Sequence, residues 1–304
     1  RKRTLFLGRA YLLSESLSMG VSFDKILVVG IGLIGGSILK SIKELNLSFE
    51  VYGVDQNEEV TTHAHNLGLI KNRSNDLEKI NEDCLIIFSV PSLSFEEAFK
   101  LVNNCVNKEK VIFTDTFSSK SNLLDFLERN PEVKQRFVMS HPIVGSEKSS
   151  ISNSVPFLFK DKLVILSPVE ATSKKENLTK LKNFWEEIGS KVSLLAPEEH
   201  DKLFSKTSHL PHVIAYALMN FLERELGKKV FYYSGGSLES YTRIASSDPL
   251  MWKDIMVSNK GEILDAIKGF KSSLKEISEL MESGDEKSIL EFLRIVKETR
   301  DRLV

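Results

Sequence analysis

Residues 26–37 read ILVVGIGLIGGS, an aliphatic run followed by Gly30, Gly32 and Gly35 at G-x-G-x-x-G spacing. An ordinary glycine turn can show this spacing, so the neighbouring sequence has to decide. The run before Gly30 is β-rich, and GSILKSIKELN after it has helical period. The motif therefore joins a strand to a helix, as a dinucleotide loop requires: Gly30 for the tight turn, Gly32 for backbone approach to a pyrophosphate, Gly35 for close helix packing. Leu33 and Ile34 open the helix, whose N-terminus suits phosphate. The next β-run, FEVYGVD, ends at Asp55, 20 residues beyond Gly35, where an acid can bond a ribose 2'-hydroxyl. Gln56 and Asn57 follow, with no arginine for a 2'-phosphate, so NAD is expected over NADP. A further run, IIFSVPS, brings Ser89 and Pro91 to the carboxyl edge where ligands of open α/β sheets bind.

Outward from this loop the pattern continues. KILVVG, FEVYGVD, CLIIFSV, KVIFTDT, RFVMS, LVILSP and KVSLLA alternate with amphipathic stretches such as SFEEAFKLVNNCV. Continuous Val/Ile/Leu runs between helices predict a mainly parallel sheet covered on both faces. After Pro197 only helical periods remain. The expected organisation is α/β: an N-terminal tail over 1–22, with Met19 as a candidate start, a Rossmann-like dinucleotide-binding domain over 23–196, and an all-helical domain over 197–304.

Composition narrows the partners. A chain of 304 residues with Lys+Arg 41 against Asp+Glu 42 has no summed field to gather nucleic acid or an anionic membrane. The opening RKRTLFLGRAYLLSESLSMG has too short and broken an apolar run for a signal peptide. Two cysteines, Cys84 and Cys105, build neither a disulfide framework nor a cysteine-rich metal site, which fits a reducing, cytoplasmic setting.

Three polar clusters fall at informative places. FTDTFSSK ends one strand run with Asp115, Ser118 and Lys120, and SHPIVGSE ends the next with His141 and Glu147. Asp201, Ser205, Ser208 and His212 share one face of a regular helix at 100° per residue. Pro211 interrupts that helix and should free the carbonyl of Thr207. The pairs HAH (His63, His65) and HLPH (His209, His212) lack the third ligand and acid of a zinc site, so no metal is expected. His63, His65 and His200 read as surface residues, His209 as packed or hydrogen-bonded.

GIGLIGGS, TDTFSSK, SHPIVGSEKSS, SHLPHVIAYAL and YTRIASSDPLMWKDI, in this order, resemble prephenate dehydrogenase or its close relative arogenate dehydrogenase, from about Lys25 onward. The resemblance implies a catalytic histidine at His141 with Ser118 as its partner, and a substrate-side histidine at His212. It further implies a carboxylate-binding Arg243, a helix acid at Asp201, and pocket residues Trp252 and Glu147. Without the resemblance, Arg243 could equally pair with Asp248 or Glu239. Where the family has glycine this chain has Phe117, a departure that bears on the Ser118 loop.

The implied reaction is NAD-dependent oxidative decarboxylation of prephenate, with neutral His141 taking the C4 hydroxyl proton. A histidine base ordinarily gives an acid limb at roughly 6 to 7. The implied assembly is a homodimer through the helical domain, with tyrosine as a feedback inhibitor acting at the active site or between subunits. Neither a chorismate mutase segment before Phe23 nor a regulatory domain after Val304 is expected. A β-hydroxyacid dehydrogenase would typically use a lysine base, and a non-catalytic NAD(H)-binding module would not need Ser118, His141 and Arg243 intact.

Overall fold

The computed structural model describes residues 23–72, 74–75, 80, 82–107, 109–145, 150–169 and 174–303. The tail over 1–22 and Glu147 lie outside these residues. Among these residues seven strands form where the β-rich runs stand: β1 Lys25–Val29, β2 Glu50–Val54, β3 Cys84–Phe88, β4 Val111–Asp115, β5 Met139–Pro142, β6 Leu163–Ser167 and β7 Lys191–Leu194. Between β1 and β7 lie α1 Leu33–Glu44, α2 Glu58–Asn66, α3 Phe95–Asn103, α4 Ser121–Arg129, α5 Pro131–Lys134 and α6 Lys175–Glu187. Beyond them the described chain is helical: α7 Pro197–Phe204, α8 Leu210–Leu226, α9 Lys229–Tyr233, α10 Gly236–Thr242, α11 Pro249–Ser258, α12 Lys260–Ser283 and α13 Glu286–Asp301. The chain through Asn259 is one compact unit, and α12 with α13 is a second.

The first four strands are parallel in the order β2-β1-β3-β4. Period-two alternation sends their side chains into two cores. Ile26, Val28, Leu85, Ile87 and Ile112 pack with Ile38 and Leu39 of α1 and with Phe184 and Trp185 of α6. Leu27, Val29, Ile86, Phe88 and Phe113 pack with Phe95 and Phe99 of α3 and Phe126 of α4. Both faces are thus covered, which is why these strands read as unbroken apolar runs.

The remaining strands depart from a uniformly parallel sheet. They form a sheet of order β5-β6-β7, with β5 and β6 antiparallel. Among the described residues no α-helix lies between β5 and β6, and a strand that returns without a crossover helix returns antiparallel. A short parallel bridge, Phe113 N to Arg136 O (2.9 Å) and Val138 N to Phe113 O (3.0 Å), ties β4 to the chain entering β5. The carboxyl end of β5 therefore opens on the same edge as β1, β3 and β4.

The chain runs from β1 to β2 on one side and reaches β3 on the other, so the β1/β3 crevice is a topological switch point. Gly30 fills it, with φ at +89° and an added Cβ only 2.8 Å from the Ser89 carbonyl oxygen. At Gly35 a Cβ would stand 2.1 Å from the Gly30 carbonyl oxygen, whereas at Gly32 it would meet nothing within 4 Å.

These spaces separate the two glycines experimentally. Overpacking a close contact costs about 1–3 kcal/mol, and no rotamer change relieves a clash with backbone. Gly35→Ala is therefore expected to lower the unfolding free energy by about 3 kcal/mol or more, and Gly32→Ala by less than about 0.5 kcal/mol. Urea denaturation of both variants beside the parent checks this.

Candidate active site

The carboxyl edge of the sheet collects the dinucleotide features. Asp55, just past β2, accepts from Ile31 N (2.7 Å) and Asn57 N (3.0 Å), so its carboxylate braces the glycine loop. Gly32 caps α1 with no side-chain hydrogen bond, and Leu33 and Ile34 form the first turn, half-buried. Ser89 N donates to Val29 O (2.7 Å), and the Ser89 hydroxyl lies 2.9 Å from that of Thr116. Pro91 leads into a 3-10 turn, Ser92–Ser94. The open space at Gly32, the helix end without a side-chain cap and the acid closing β2 fit a dinucleotide.

The loop from Asp115 to Ser121 is fixed at both ends. Asp115 and Lys120 form an ion pair with both side chains at 0% exposure. Asp115 also accepts from Phe117 N (2.9 Å) and Ser140 N (3.0 Å), and Lys120 Nζ donates to Phe117 O (2.9 Å) and Ser140 O (2.7 Å). Burial pushes the Asp115 carboxyl up and the Lys120 ammonium down, while their mutual attraction opposes both. Phe117 is accommodated without positive φ, its ring buried edge-on to Phe95 at 5.8 Å between centroids. Ser118, half-buried in this loop, makes no hydrogen bond to His141 among the described contacts.

Asp201 closes the other end. Its carboxylate accepts from Lys120 N (2.8 and 3.0 Å), from Ser121 N (2.9 Å) and Oγ (2.5 Å), and from His200 Nδ1 (2.8 Å). Burial alone would raise it, but the hydrogen bonds from His200 and Ser121 hold it below the usual carboxylate range. The helix acid Asp201 thus caps α4 from across the fold, with its oxygens taken by protein donors rather than left open to a substrate.

His141, 8% exposed at the end of β5, lies with its Nδ1 2.8 Å from His200 Nε2. Burial, then the neighbouring His200 and Lys120, push it well below the ordinary histidine value, so it is neutral. A base in this environment is therefore expected to titrate below the ordinary histidine range. The reading of His200 as a surface residue fails outright, because it is 0% exposed. His200 sits three residues after Pro197 and four before Phe204, both buried, so a helical-face argument over α7 alone would have found it. His63 is exposed and His65 half-buried, close to the surface reading.

The regular face expected for Asp201, Ser205, Ser208 and His212 is also interrupted. Ser205–His209 is a π-helical turn, with Leu210 N donating to Ser205 O across five residues. Pro211 stands in the first turn of α8, so the wider turn absorbs its missing N–H. The turn brings His209 inward to 1% exposure, where Asn259 Nδ2 contacts its Nδ1 (3.2 Å) and also donates to Asp201 O (3.0 Å). Burial pushes His209 down to about 4.

A second group stands on α8 and α11. His212 stacks on Trp252 at 3.9 Å between ring centroids and 24° between planes, and its Nδ1 donates to Ser208 O (3.0 Å). Burial lowers His212, the Ser208 carbonyl opposes, and the positive charge of Arg243 lowers it further. The buried Trp252 Nε1 and Tyr216 hydroxyl have no hydrogen-bond partner among the described residues. Asp248, a rival partner for Arg243, caps α11 by accepting from Leu250 N (2.8 Å) and Met251 N (3.1 Å).

A parallel sheet with a glycine loop at its switch point, followed by helices that carry histidines to the carboxyl edge, defines a dinucleotide-binding oxidoreductase. Comparison with known proteins narrows this. The family model described as "Prephenate dehydrogenase, nucleotide-binding domain" matches residues 38–194, and "Prephenate dehydrogenase, dimerization domain" matches 196–295. Prephenate dehydrogenase of Bacillus subtilis is 30% identical over 92% of this chain and 76% of its own length. Cyclohexadienyl dehydrogenase of Zymomonas mobilis is 32% identical over 91% and 95%. The crystal structure of Aquifex aeolicus prephenate dehydrogenase with hydroxyphenyl propionate and NAD+ superposes with a TM-score of 0.84 at 36% identity, covering 95% of this chain and 100% of that one. The chain belongs to the prephenate dehydrogenase family.

The buried histidines tie stability to pH. Below about 6.5 the unfolded chain takes up protons that folded His209, at about 4, refuses. Its contribution is complete above about 6.5 and is lost as pH falls toward 4; by pH 5 the loss from His209 alone is about 2 kcal/mol. His141, His200 and His212 are lowered too and act in the same sense. Urea unfolding at pH 7.5, 6 and 5 should show the decline, and His209→Asn should make it shallower.

Proposed function

We propose that this chain oxidatively decarboxylates prephenate to 4-hydroxyphenylpyruvate with NAD, in tyrosine biosynthesis. The observation that carries the reading is His141, a neutral imidazole at the end of β5, on the edge shared with the glycine loop. Family membership supplies the substrate class.

In this reading Gly30, Gly32, Leu33, Ile34 and Gly35 hold the pyrophosphate, and Asp55 the ribose. Ser89 and Pro91 line the nicotinamide side. When bound, NAD supplies the hydride acceptor. His141 takes the C4 hydroxyl proton as the C4 hydrogen leaves with its electron pair, making a ketone. Electrons of the C1–carboxylate bond then flow into the ring, CO2 departs, and the phenolate oxygen takes the proton back from His141. Ser118 orients the reacting groups. Aromatisation drives the reaction, so the protein's task is orientation and one base. Arg243 offers a planar, bidentate partner for a substrate carboxylate, with His212 and Trp252 beside it. Asp201 supports the base from behind rather than touching substrate.

The division into 23–196 and 197–304 is also proposed, and the family boundaries at 194 and 196 support it. Homodimerisation is proposed through the helical part, where Phe221, Tyr232, Tyr233 and Leu293 are exposed. Tyrosine shares the product's phenol ring and carboxylate and is proposed to compete at the same site. No helix of the described residues is long and apolar enough to cross a membrane, and with two free thiols a cytoplasmic setting is proposed.

Initial rates with prephenate and arogenate, each with NAD and NADP, test the proposal. The highest kcat/KM is expected for prephenate with NAD. A higher value for arogenate moves the assignment to arogenate dehydrogenase, and equal use of NADP removes the role of Asp55.

The base is tested by His141→Asn. General-base catalysis contributes about 10²- to 10⁴-fold, so kcat should fall by at least about a hundredfold while NAD binding persists. The parent's acid limb should lie below the ordinary histidine value, as burial dictates, and vanish in the variant. Stopped rates across pH for both proteins check this.

A further inference from the structure

His200 and Asp201 form a chain of polar contacts behind His141, and its polarity can be worked out atom by atom. Asp201 is ionised, so its Oδ1, 2.8 Å from His200 Nδ1, accepts and His200 Nδ1 carries a proton. A neutral imidazole has one N–H, which leaves His200 Nε2 as a lone pair. That lone pair stands 2.8 Å from His141 Nδ1, so His141 donates from Nδ1. Neutral His141 then presents its Nε2 unprotonated.

The opposite arrangement fails at one of two places. With the proton on His141 Nε2, either two imidazole lone pairs face each other at 2.8 Å, or His200 turns its proton toward His141 and leaves a lone pair against Asp201 at 2.8 Å. Either clash is buried, where an unmade hydrogen bond costs most. The ring planes are held as well: Phe204 packs on His141 at 4.9 Å and on His200 at 4.5 Å between centroids. We infer that His200, backed by Asp201, is a positioning residue that fixes the proton of His141 on Nδ1 and so keeps Nε2 as the proton-accepting atom. This rests on the reading of His141 as the base.

The same chain has a consequence during turnover. When His141 takes a proton at Nε2, its Nδ1–H already points at His200, whose own N–H points at a carboxylate. The imidazolium is thereby stabilised with no proton moving along the chain. Of the other titratable groups facing this pair, Lys120 and His209 disfavour a positive His141 while Asp115 favours positive charge at His200, so the stabilisation has to come from the carboxylates, of which Asp201 is the one hydrogen-bonded to the chain.

The test combines tautomer and kinetics. In protein labelled with ¹⁵N-histidine, long-range ¹H–¹⁵N correlation at pH 8 identifies which nitrogen of His141 is protonated, with assignment by His141→Asn. The parent should show Nδ1–H; Nε2–H overturns the inference, and this measurement needs no variant at position 200. In His200→Asn the shorter amide can still reach Asp201 but not His141. The His141 tautomer should then become mixed, kcat should fall by about tenfold to a hundredfold, as loss of an imidazole's outer partner commonly costs, KM should change less than about twofold, and the acid limb should shift. An unchanged His141 tautomer in His200→Asn overturns the inference. A changed tautomer with unchanged kcat and pH profile upholds the positioning role and overturns His141 as the base.

Discussion

The loop after β4 and the histidine behind His141 converge on the Asp201 carboxylate, an anion almost wholly removed from water. Such a group is tolerated only when donors replace its hydration. Here the donors come from three sources: the backbone at the start of α4, the Ser121 hydroxyl, and His200. Each also gains. The first turn of α4 receives a negative charge where its unpaired N–H groups need one, the loop carrying Ser118 is pinned at its far end, and His200 is given a defined tautomer. Breaking such a buried arrangement by removing one partner costs about 3–5 kcal/mol in comparable sites. The acid on α7 thus holds a loop of the sheet domain and the imidazole behind His141 in one register.

The sheet and the glycine loop were legible because their signals are local. Unbroken aliphatic runs require strands covered on two faces, and the spacing of Gly30, Gly32 and Gly35 requires a turn at the end of one of them. The structure divides the glycines further than spacing can: Gly30 and Gly35 have no room for a Cβ, whereas Gly32 has. The antiparallel return of β6 was not legible, since period-two patterning carries no strand direction. Nor was the fate of Phe117. A bulky residue in place of glycine suggests a disturbed loop, yet the ring joins an aromatic core that Phe88, Phe95, Phe99 and Phe126 already form, and the backbone keeps a conformation open to any residue.

The helical residues were partly legible. Spacing along an ideal helix brought Asp201, Ser205, Ser208 and His212 to one face, and Asp201 and Ser205 are indeed buried. It missed His200, which lies before the π-helical turn and shares a buried face of α7 with Pro197 and Phe204, and it undervalued His209 for a separate physical reason. A turn with hydrogen bonds across five residues resets the angular register, so positions beyond it no longer follow 100° per residue. Pro211 was the visible sign that the ladder was broken, but not of how it would be repaired. Local rules fail where function imposes another requirement, and this turn lies beside the histidines rather than away from them.

The histidines divide by environment in a way that suits two tasks. His141, His200 and His209 are buried, mutually coupled and held neutral, so the protonation state at that end hardly responds to solvent near neutral pH. His212 is half-buried and Arg243 exposed, closer to water. On the proposed reading, proton transfer occurs at the dry end and carboxylate recognition at the wet end. Prephenate and arogenate differ in the side chain, not at C4, so the contrast between them would be felt at the wet end, where screening weakens any single charged contact. The base and its supports can then be the same for either substrate, and because both substrates carry the same carboxylates, neither His141 nor Arg243 by itself separates the two activities.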